Sequence, residues 1–440
     1  MDEEDNGAQS DGLDAEIQHA PLISGQVLQE AGEVLPQYGF LGTQATSGVS
    51  SLESRIFLNT NVPFSAFICG VQGSGKSHTT SCILENALIP SRHLGHLKNP
   101  LSALVFSYGE YSSSAGFNIS EAAFLAAPHS SFPLHPSVKK ITIMVSPSNP
   151  AIKKLYNRIP NVTVIPFKLK PRNFDIGTML TLMAVNESNA IPLYMAQVTN
   201  ILRDMATVSE DGFDYQDFKV RLKQCEFNPA QLNMLEMRLG LLESFLDLSN
   251  SCPEPRFQPG EVTIMDMSCP FIDANTACIL FKIGLKKYLE SSSPGKMIVL
   301  DEAHKYMLKT PGSKALTDYL LTTIRLQRHF GARVVISTQE PTLLTDLIAL
   351  CSITIIHRFT SPDWFAALKK HIPISNTGEE KDEIMSRIEK LRTGTALVYA
   401  SNAVLRRNGD GGLEKGTGRL MSVRVRKRVT ADGGQSVVAV

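Results

Sequence analysis

Short apolar runs alternate with segments of helical periodicity over most of the chain from residue 60 to residue 425. Runs rich in β-branched and aromatic side chains predict strands, and they lie at 64–69, 102–107, 139–145, 162–165, 261–266, 297–300, 332–339, 353–359, 395–399 and 422–425. Apolar residues at helical spacing predict helices, at 78–88, 217–225, 230–248, 275–289, 313–330, 343–350, 361–371 and 379–391. Because several strands are apolar on both faces and alternate with helices, the pattern predicts an α/β fold with a mostly parallel central sheet.

Two stretches depart from this alternation. Residues 1–50 are acidic, rich in Gly and Ser and without periodicity, which predicts a largely disordered segment. Residues 175–250 are mostly helical in pattern and predict a helical insertion. The predicted organisation is an acidic tail (1–55), a first part of the core (56–174), the insertion (175–250), a second part of the core (251–405) and a basic C-terminal strand and tail (406–440).

The composition is that of a globular protein, with 43% apolar residues and a formal net charge of zero. The charge is nevertheless unevenly distributed. Residues 1–50 hold nine acidic side chains and no Lys or Arg, whereas residues 401–430 hold eight basic and two acidic side chains. Two interpretations of the basic tail stay open: a nucleic-acid contact or nuclear address, and a solvated edge strand.

The seven cysteines are scattered, without a C-x-x-C pair or metal-ligand spacing. This usage predicts an intracellular, reducing compartment, either cytoplasm or nucleus. No apolar run approaches the roughly 18 residues that span a bilayer, and the N-terminus has no apolar signal core. We therefore expect no membrane contact.

One stretch carries a specific chemical signal, because residues 70–77 fit the pattern G-x-x-x-x-G-K-[ST] of a phosphate-binding P-loop. An apolar strand precedes the motif and a helix follows it, as phosphate binding at a helix N-terminus requires. Lys76 is expected to reach the β- and γ-phosphates, and the Ser77 hydroxyl to ligate Mg²⁺. The nucleotide-binding residues predicted here are Gly70, Val71, Gln72, Gly73, Ser74, Gly75, Lys76, Ser77 and His78.

A P-loop needs a carboxylate that holds Mg²⁺ from the other side. Asp301 follows the apolar run 297–300, so it is the predicted second metal ligand, and Glu302 is the predicted base that polarises the attacking water. Asp266 also follows an apolar strand but has no following Glu, so it is the second choice.

Polar residues near two further strands complete the candidate site. Gln339 closes the strand 332–339 and is predicted to sense the γ-phosphate or to orient the water. Arg325, Arg328 and Arg358 are candidates for an arginine that enters the neighbouring subunit's site; dipole compensation at a helix end is the alternative for Arg325 and Arg328. His304 is expected to be a packed or solvated residue of a helix and not a ligand.

The region from 297 to 371 resembles the HerA/FtsK group of P-loop ATPases, the additional-strand, catalytic-glutamate class. The resemblance rests on the order and spacing of short pieces, with the HerA-like branch as the nearest match: Ile298–His304, Arg328–Gly331, Ser337–Pro341, Ile355–Arg358 and Ser361–Asp363. Together with the P-loop, these pieces cover most of residues 60–405.

The resemblance implies a RecA-like fold and an ATPase in which Lys76 and Ser77 bind ATP–Mg²⁺. It also makes Asp301 the Walker B residue, Glu302 the base, Gln339 the sensor and Arg328 the inter-subunit finger. Most members of the group are ring-forming DNA translocases or packaging motors, so double-stranded DNA and a homo-oligomer, a hexameric ring, are the implied partners. The chain departs from the group in two respects: residues 1–60 are not expected to form the small β-barrel of HerA-type proteins, and no C-terminal winged helix is evident.

Other nucleotide-dependent classes fit less well. Residues 301–304 spell the DEAH box of superfamily 2 helicases, but those chains place it nearer to the P-loop and need a second RecA-like domain after it. A GTPase needs N-K-x-D, which the sequence lacks. A small-molecule kinase, with residues 175–250 as a lid, stays open, as does a nucleotide-switched ATPase that acts on protein partners without moving DNA.

Overall fold

A computed structural model describes residues 13–31, 34–45, 52–109, 119–171, 193–208, 214–372, 378–408 and 412–433. The strands are β1 (Leu22–Ser24), β2 (Tyr38–Gln44), β3 (Arg55–Leu58), β4 (Ser65–Cys69), β5 (Gly95–His96), β6 (Ser102–Ser107), β7 (Lys140–Val145), β8 (Val162–Pro166), β9 (Glu261–Asp266), β10 (Lys296–Leu300), β11 (Ala332–Thr338), β12 (Ile353–Ile356), β13 (Thr395–Tyr399), β14 (Val404–Arg407), β15 (Leu413–Lys415) and β16 (Met421–Val425).

The α-helices are α1 (Gly25–Glu30), α2 (Lys76–Leu88), α3 (Pro150–Tyr156), α4 (Leu193–Val208), α5 (Tyr215–Lys223), α6 (Pro229–Phe245), α7 (Ala274–Leu289), α8 (Pro311–Arg325), α9 (Gln327–Phe330), α10 (Thr345–Ile348), α11 (Pro362–Lys369) and α12 (Gly378–Glu389). Short 3₁₀ turns lie at Glu121–Ala126, Ala303–Lys305 and Pro341–Leu343.

The strands of the described residues form one sheet in the order β15-β14-β1-β3-β2-β16-β13-β12-β4-β11-β10-β6-β9-β7-β8, with β5 paired to β2. The eight strands from β12 to β8 run parallel to one another, and we call them the parallel part. The six strands from β15 to β16 come from the two ends of the chain, and we call them the terminal part. β13 joins the two parts through antiparallel pairing to β12 and β16.

The parallel part is held by apolar side chains on both faces. On β4, Phe67 and Cys69 enter one apolar core, while Ala66 and Ile68 enter the core on the other face. Helices α7 and α8 pack on the first face, and α2 packs on the second. This arrangement confirms the α/β fold class, because strands that are buried on both sides need a helical layer on each face.

Three helices, α4 to α6, lie between β8 and β9, where the pattern predicts an insertion. Their apolar side chains, such as Leu202, Phe218 and Leu242, extend the first core and do not form a separate one. The beginning of the predicted insertion, 172–192, lies outside the described residues.

The N-terminal prediction was wrong where the structure describes it. Strands β1 to β3 pair with one another, and β2 and β1 also pair with β16 and β14 near the other end of the chain. Leu22, Ile23, Leu41 and Ile56 are buried in the process. Residues 1–12 lie outside the described residues.

The unequal charges at the two ends of the chain partly compensate each other in the fold. Three exposed or half-buried cations of the C-terminal strands face three acids of the N-terminal segment: Arg406 with Glu53, Arg407 with Asp14 and Lys415 with Glu16. Acidic side chains of the N-terminal segment and basic side chains of the C-terminal strands are therefore partners of each other in the fold.

Several element boundaries differ from those predicted. The helix predicted at 313–330 is interrupted at Leu326, so that α8 ends at Arg325 and α9 is a separate turn. The strand predicted at 353–359 ends at Ile356, which leaves Arg358 outside it. None of the helices in the described part of the chain is both long and apolar enough to cross a bilayer.

Candidate functional site

The P-loop leaves β4 and turns into α2 through residues with unusual backbone angles. Gly73 and Gly75 have φ angles of 74° and 110°, a region that side chains with a Cβ rarely adopt. The Ser74 hydroxyl donates to the Val71 carbonyl at 2.7 Å and closes the turn. Gly75 precedes the first helical residue, Lys76, so the N–H groups of the first turn face the space above β4.

A buried histidine supports this loop from below. His357 follows β12, and its Nε2 lies 2.9 Å from Thr79 Oγ1 in the first turns of α2. Burial first, and then the nearby Lys76 charge, lower the pKa of His357 to about 3. The ring is therefore neutral at physiological pH and acts as a packing and hydrogen-bonding group.

The Lys76 ammonium joins the P-loop to the second half of the site. It donates to the Val71 carbonyl at 3.1 Å and lies 3.8 Å from Glu302 Oε1. Burial lowers the pKa of Lys76, while the charges of Glu302 and Asp301 raise it. The amine is thus held in a desolvated position beside Glu302, and the net effect is a pKa below its ordinary value.

Sheet order explains why residues 225 positions apart meet. β11 lies between β4 and β10, and all three strands run parallel, so their carboxyl ends share one edge. Lys76 follows β4 and Asp301 follows β10 at this edge. A strand inserted between the two is what the additional-strand resemblance implies, and ligands of such sheets bind outside the carboxyl ends.

Asp301 is a buried carboxylate with an unused acceptor. Its Oδ1 has no hydrogen-bond partner among the described residues, and burial together with the Glu302 charge raises the pKa of Asp301 to about 7. A buried acid of this kind costs free energy unless a cation or donor compensates it. A bound cation would provide that compensation.

Glu302 is positioned by three polar neighbours. Its backbone is left-handed (φ 47°), and its Oε2 accepts a hydrogen bond from Gln339 Nε2 at 2.7 Å. His304 Nε2 and Lys305 Nζ lie 3.6 and 3.9 Å from the same oxygen. The Gln339 backbone N–H also points to His304 Nδ1 at 3.3 Å. A left-handed non-glycine residue is a strained conformation of the kind found at functional sites.

Two of the sequence interpretations change here. His304 was predicted to be a packed or solvated residue of a helix and not a ligand; it lies in a 3₁₀ turn instead and lines the site cavity beside Glu302. The second choice for the metal-binding acid, Asp266, is fully buried, accepts from Tyr156 Oη at 2.5 Å and from the Ser268 N–H at 2.9 Å. Its hydrogen bonds are internal, so it has no group to offer a metal.

A cavity of about 1060 Å³ opens above the carboxyl edge, larger than the range of roughly 300–1,000 Å³ usual for ligand sites. Its walls include most of the predicted residues: Gln72, Gly73, Gly75, Lys76, Ser77, His78, Asp301, Glu302 and Gln339. Gly70, Val71 and Ser74 shape the loop without lining the cavity. The structure therefore brings the P-loop, the acid pair and the glutamine around one space.

The chemistry of the donor set fits Mg²⁺. Ser77 and Asp301 line one small crevice below the cavity, together with Glu121. Within the described residues, no group of three or more His, Cys, Asp or Glu side chains is arranged as a metal site. A hard cation bound by one hydroxyl and one carboxylate takes its remaining ligands from water and phosphate oxygens, as Mg²⁺ usually does.

The three arginine candidates are not part of this cavity. Arg325 and Arg328 are exposed and precede β11, at the amino edge of the sheet. The seven residues of β11 separate them from Gln339 by about 20 Å. Arg358 is exposed at the correct edge, and its carbonyl accepts from the Val71 N–H at 2.9 Å, but its side chain does not line the cavity. Their role toward a second subunit stays a prediction.

Arg426 and Arg428 of the basic C-terminal stretch occupy places that neither sequence interpretation gave them, whereas Arg406 and Lys415 are exposed at the β14–β15 edge of the sheet, as the solvated-edge interpretation predicts. β16 is an interior strand, between β13 and β2. The Arg426 guanidinium is buried and paired with Glu85 of α2 at 2.6 Å, and Arg428 is buried beside Glu121. Because Arg426 and Arg428 are paired with internal acids, these two residues form neither a solvated edge nor a nucleic-acid surface. Residues 434–440 lie outside the described residues.

Sequence reasoning missed several residues of the cavity walls, namely Tyr108, Glu121, Lys305, Arg424 and Lys427. The only available signal was the density of cations in 424–428. It suggested function but not position, because the antiparallel pairing that returns the C-terminus to the P-loop depends on strands far away in the chain.

Comparisons with known proteins support the fold. No protein-family model and no curated protein matches the chain. Among solved structures, VirB4 of Thermoanaerobacter pseudethanolicus is similar with a TM-score of 0.51 and 10% identity, over 89% of this chain and 97% of that chain. This similarity agrees with the RecA-like P-loop fold that the sequence resemblance implies.

Two further solved structures are similar with TM-scores below 0.5. The plasmid coupling protein TrwB, in complex with the ATP analogue ADPNP, has a TM-score of 0.43 and 11% identity over 89% of this chain and 95% of that chain. The genome packaging NTPase B204 from Sulfolobus turreted icosahedral virus 2, in complex with AMPPCP, has a TM-score of 0.29 and 12% identity over 80% and 96%.

Proposed function

We propose that this protein binds ATP with Mg²⁺ and hydrolyses it to ADP and phosphate. The observation that carries the proposal is the meeting of the Lys76 ammonium with Glu302 at 3.8 Å, next to the unpaired Asp301 oxygen. Phosphate oxygens can accept hydrogen bonds from the buried Lys76 ammonium, and a metal ion can bind the buried Asp301 carboxylate. A metal-bound triphosphate is the ligand that does both at once.

Each group has a distinct task in this reaction. The P-loop N–H groups and Lys76 bind the β- and γ-phosphates, while Ser77 and Asp301 hold Mg²⁺. Bound Mg²⁺ supplies charge neutralisation on the phosphate oxygens. Glu302 accepts a proton from the attacking water, and the Gln339 amide holds the Glu302 carboxylate in place through the 2.7 Å hydrogen bond.

The work driven by this hydrolysis is, in our proposal, translocation of double-stranded DNA by a homo-oligomeric ring. The support is the HerA/FtsK resemblance of the pieces between Ile298 and Asp363. A switch that acts on protein partners without DNA is the alternative.

Steady-state hydrolysis tests the proposal. We expect Lys76→Ala to lose nucleotide binding, and Glu302→Gln to keep binding while its turnover falls by about 10²–10⁴, the usual contribution of a general base. Normal turnover in Glu302→Gln would show that another group is the base. A Lys76→Ala variant with wild-type binding would refute ATP as the ligand of this cavity.

The same assay with and without duplex DNA distinguishes a DNA translocase from a switch that acts on protein partners. A translocase hydrolyses faster when duplex is added and has the mass of a ring in solution. A rate that is indifferent to duplex would favour the switch acting on protein partners.

A further inference from the structure

The cavity has two chemically different flanks around the P-loop. Asp301 and Glu302 stand on the β10 side. On the other side stands the end of β16, which runs parallel to β4 because β12, β13 and β16 alternate in direction. The C-terminal end of β16 therefore reaches the same edge as the P-loop. We call residues 424–427 the basic flank.

The basic flank is fixed directly to the P-loop and to α2. The Val425 N–H donates to the Gly394 carbonyl at 2.9 Å, and the Gly394 N–H points to the Ser74 carbonyl at 3.4 Å. The Arg426 carbonyl lies 2.7 Å from His78 Nε2. These contacts hold the flank beside the first turn of α2, so its position follows that of the phosphate-binding loop.

Arg426 anchors the flank and has no capacity left for a ligand. Its guanidinium donates to Glu85, to the Cys82 carbonyl and to Asn86 Oδ1 at 2.6, 3.0 and 2.8 Å. An arginine with these contacts is structural.

The other two cations of the basic flank, Arg424 and Lys427, differ from Arg426 because they are exposed. Both line the cavity and form no ion pair with any residue that the structure describes. Asp432, an acid that also lines the cavity, lies 3.7 Å from the buried Arg428. Two cations thus face the cavity from a flank that carries no part of the hydrolytic machinery.

The orientation of the nucleotide follows from the acid pair, and here the argument rests on the proposed function. Hydrolysis at Glu302 places the γ-phosphate on the β10 side, so the α-phosphate and the nucleoside extend across the P-loop to the other side. We infer that Arg424 and Lys427 bind the nucleoside end of ATP, its α-phosphate, ribose and base, within one chain. Guanidinium groups stack on aromatic rings, and ammonium groups bind phosphate and ribose oxygens.

Calorimetric titration of two ligands tests the inference on the full chain. The first ligand is AMPPNP with Mg²⁺, which occupies both ends of the site, and the second is pyrophosphate with Mg²⁺, which occupies only the β- and γ-phosphate positions. In Arg424→Ala/Lys427→Ala we expect AMPPNP affinity to fall by at least about tenfold, since each lost charge-assisted contact is worth about that much. Pyrophosphate affinity should stay within about threefold of wild type.

Matched variants make the result specific. Lys153→Ala/Lys154→Ala removes two exposed cations of α3 outside the cavity and should bind both ligands as wild type does. Arg424→Lys/Lys427→Arg keeps both charges and should recover most of the AMPPNP affinity. Because Arg424 and Lys427 are exposed, the unfolding midpoint of the double alanine variant should equal that of wild type.

Three results would overturn the inference. Unchanged AMPPNP affinity in the double alanine variant would show that the cations do not contact the nucleotide. An equal loss for AMPPNP and pyrophosphate would place them on the β- and γ-phosphates. Wild-type AMPPNP binding by Lys76→Ala would instead refute the proposed function, and the inference with it, so the two failures are distinguishable.

Discussion

The parallel part and the terminal part of the sheet are stabilised by different forces. Every residue of β4, β10 and β11 is buried, whereas β2 and β16 alternate between buried and more exposed positions. The parallel part is therefore an apolar layer between two helical layers, and the terminal part is a half-solvated sheet. Charged groups join the terminal part to the P-loop helix, chiefly Arg426 and Glu85.

This difference separates the two tasks of the molecule. The parallel part carries the groups that we propose bind and hydrolyse ATP, since the P-loop, Asp301, Glu302 and Gln339 all follow its strands. The terminal part supplies residues 424–428 at the end of β16, which we call the strap. The strap packs against α2 through Arg426 and forms one wall of the same cavity. Damage to the strap should weaken the whole fold, whereas damage to the carboxyl edge should leave the fold intact and stop the chemistry.

The largest effect is expected where the two parts are joined. Arg426→Met removes the ion-pair partner of Glu85, a fully buried acid that also accepts from the Val429 and Thr430 N–H groups. A buried charge left without its partner costs about 3–5 kcal/mol of unfolding free energy. Urea unfolding should therefore show a much lower midpoint for this variant.

The control for this variant lies in the terminal part itself. Lys415 pairs with Glu16 at 3.0 Å, with both side chains substantially exposed. Lys415→Ala should change the unfolding free energy by less than about 1 kcal/mol. Equal losses in Arg426→Met and Lys415→Ala would contradict the idea that one buried junction holds the strap.

A smaller effect is expected at the boundary strand β12, from the buried His357. Its pKa in the folded protein is about 3, below the ordinary value of 6.5, because burial disfavours the charged ring. Below pH 6.5 the unfolded chain therefore binds a proton that the folded chain does not. The stabilisation is complete above pH 6.5 and declines as the pH falls, by about 2 kcal/mol between pH 6.5 and pH 5.

Comparing wild type with His357→Gln isolates this contribution. Urea midpoints measured from pH 7.5 to pH 5 should fall more steeply for wild type than for the variant, because glutamine does not titrate. Parallel curves for the two proteins would show that His357 is protonated in the folded state.

The sequence allowed the parallel part to be predicted because its signals are local. Each strand is a short apolar run, and the P-loop and Asp301-Glu302 follow such runs directly, so the rule that parallel strands share a carboxyl edge was enough to bring them together. Gln339 was placed by the same rule. The geometry around Glu302 was not predictable, since its left-handed backbone and its contacts with His304 and Lys305 depend on a 3₁₀ turn.

Most of the terminal part was not predictable for the opposite reason, although its strand β16 was predicted at 422–425. β1 is only three residues long and is stable because strands from both ends of the chain pair with it. Charged residues such as Arg426 and Arg428 predict solvent exposure. No local pattern in the sequence shows that they are buried in ion pairs with Glu85 and Glu121. Arg325 and Arg328 show a further limit: they precede β11 and so lie at the amino edge, but no pattern within one chain tells which residues would reach a second subunit.

The central claim is that the P-loop and Asp301 hold one metal-bound triphosphate between them. The most direct test is AMPPNP affinity with and without Mg²⁺, in wild type and in Asp301→Asn, which has the same size. We predict that Mg²⁺ raises the affinity of wild type by at least about tenfold and that of Asp301→Asn by no more than about twofold, while metal-free binding is similar in both. An Mg²⁺ response in Asp301→Asn as large as that of wild type would contradict the claim.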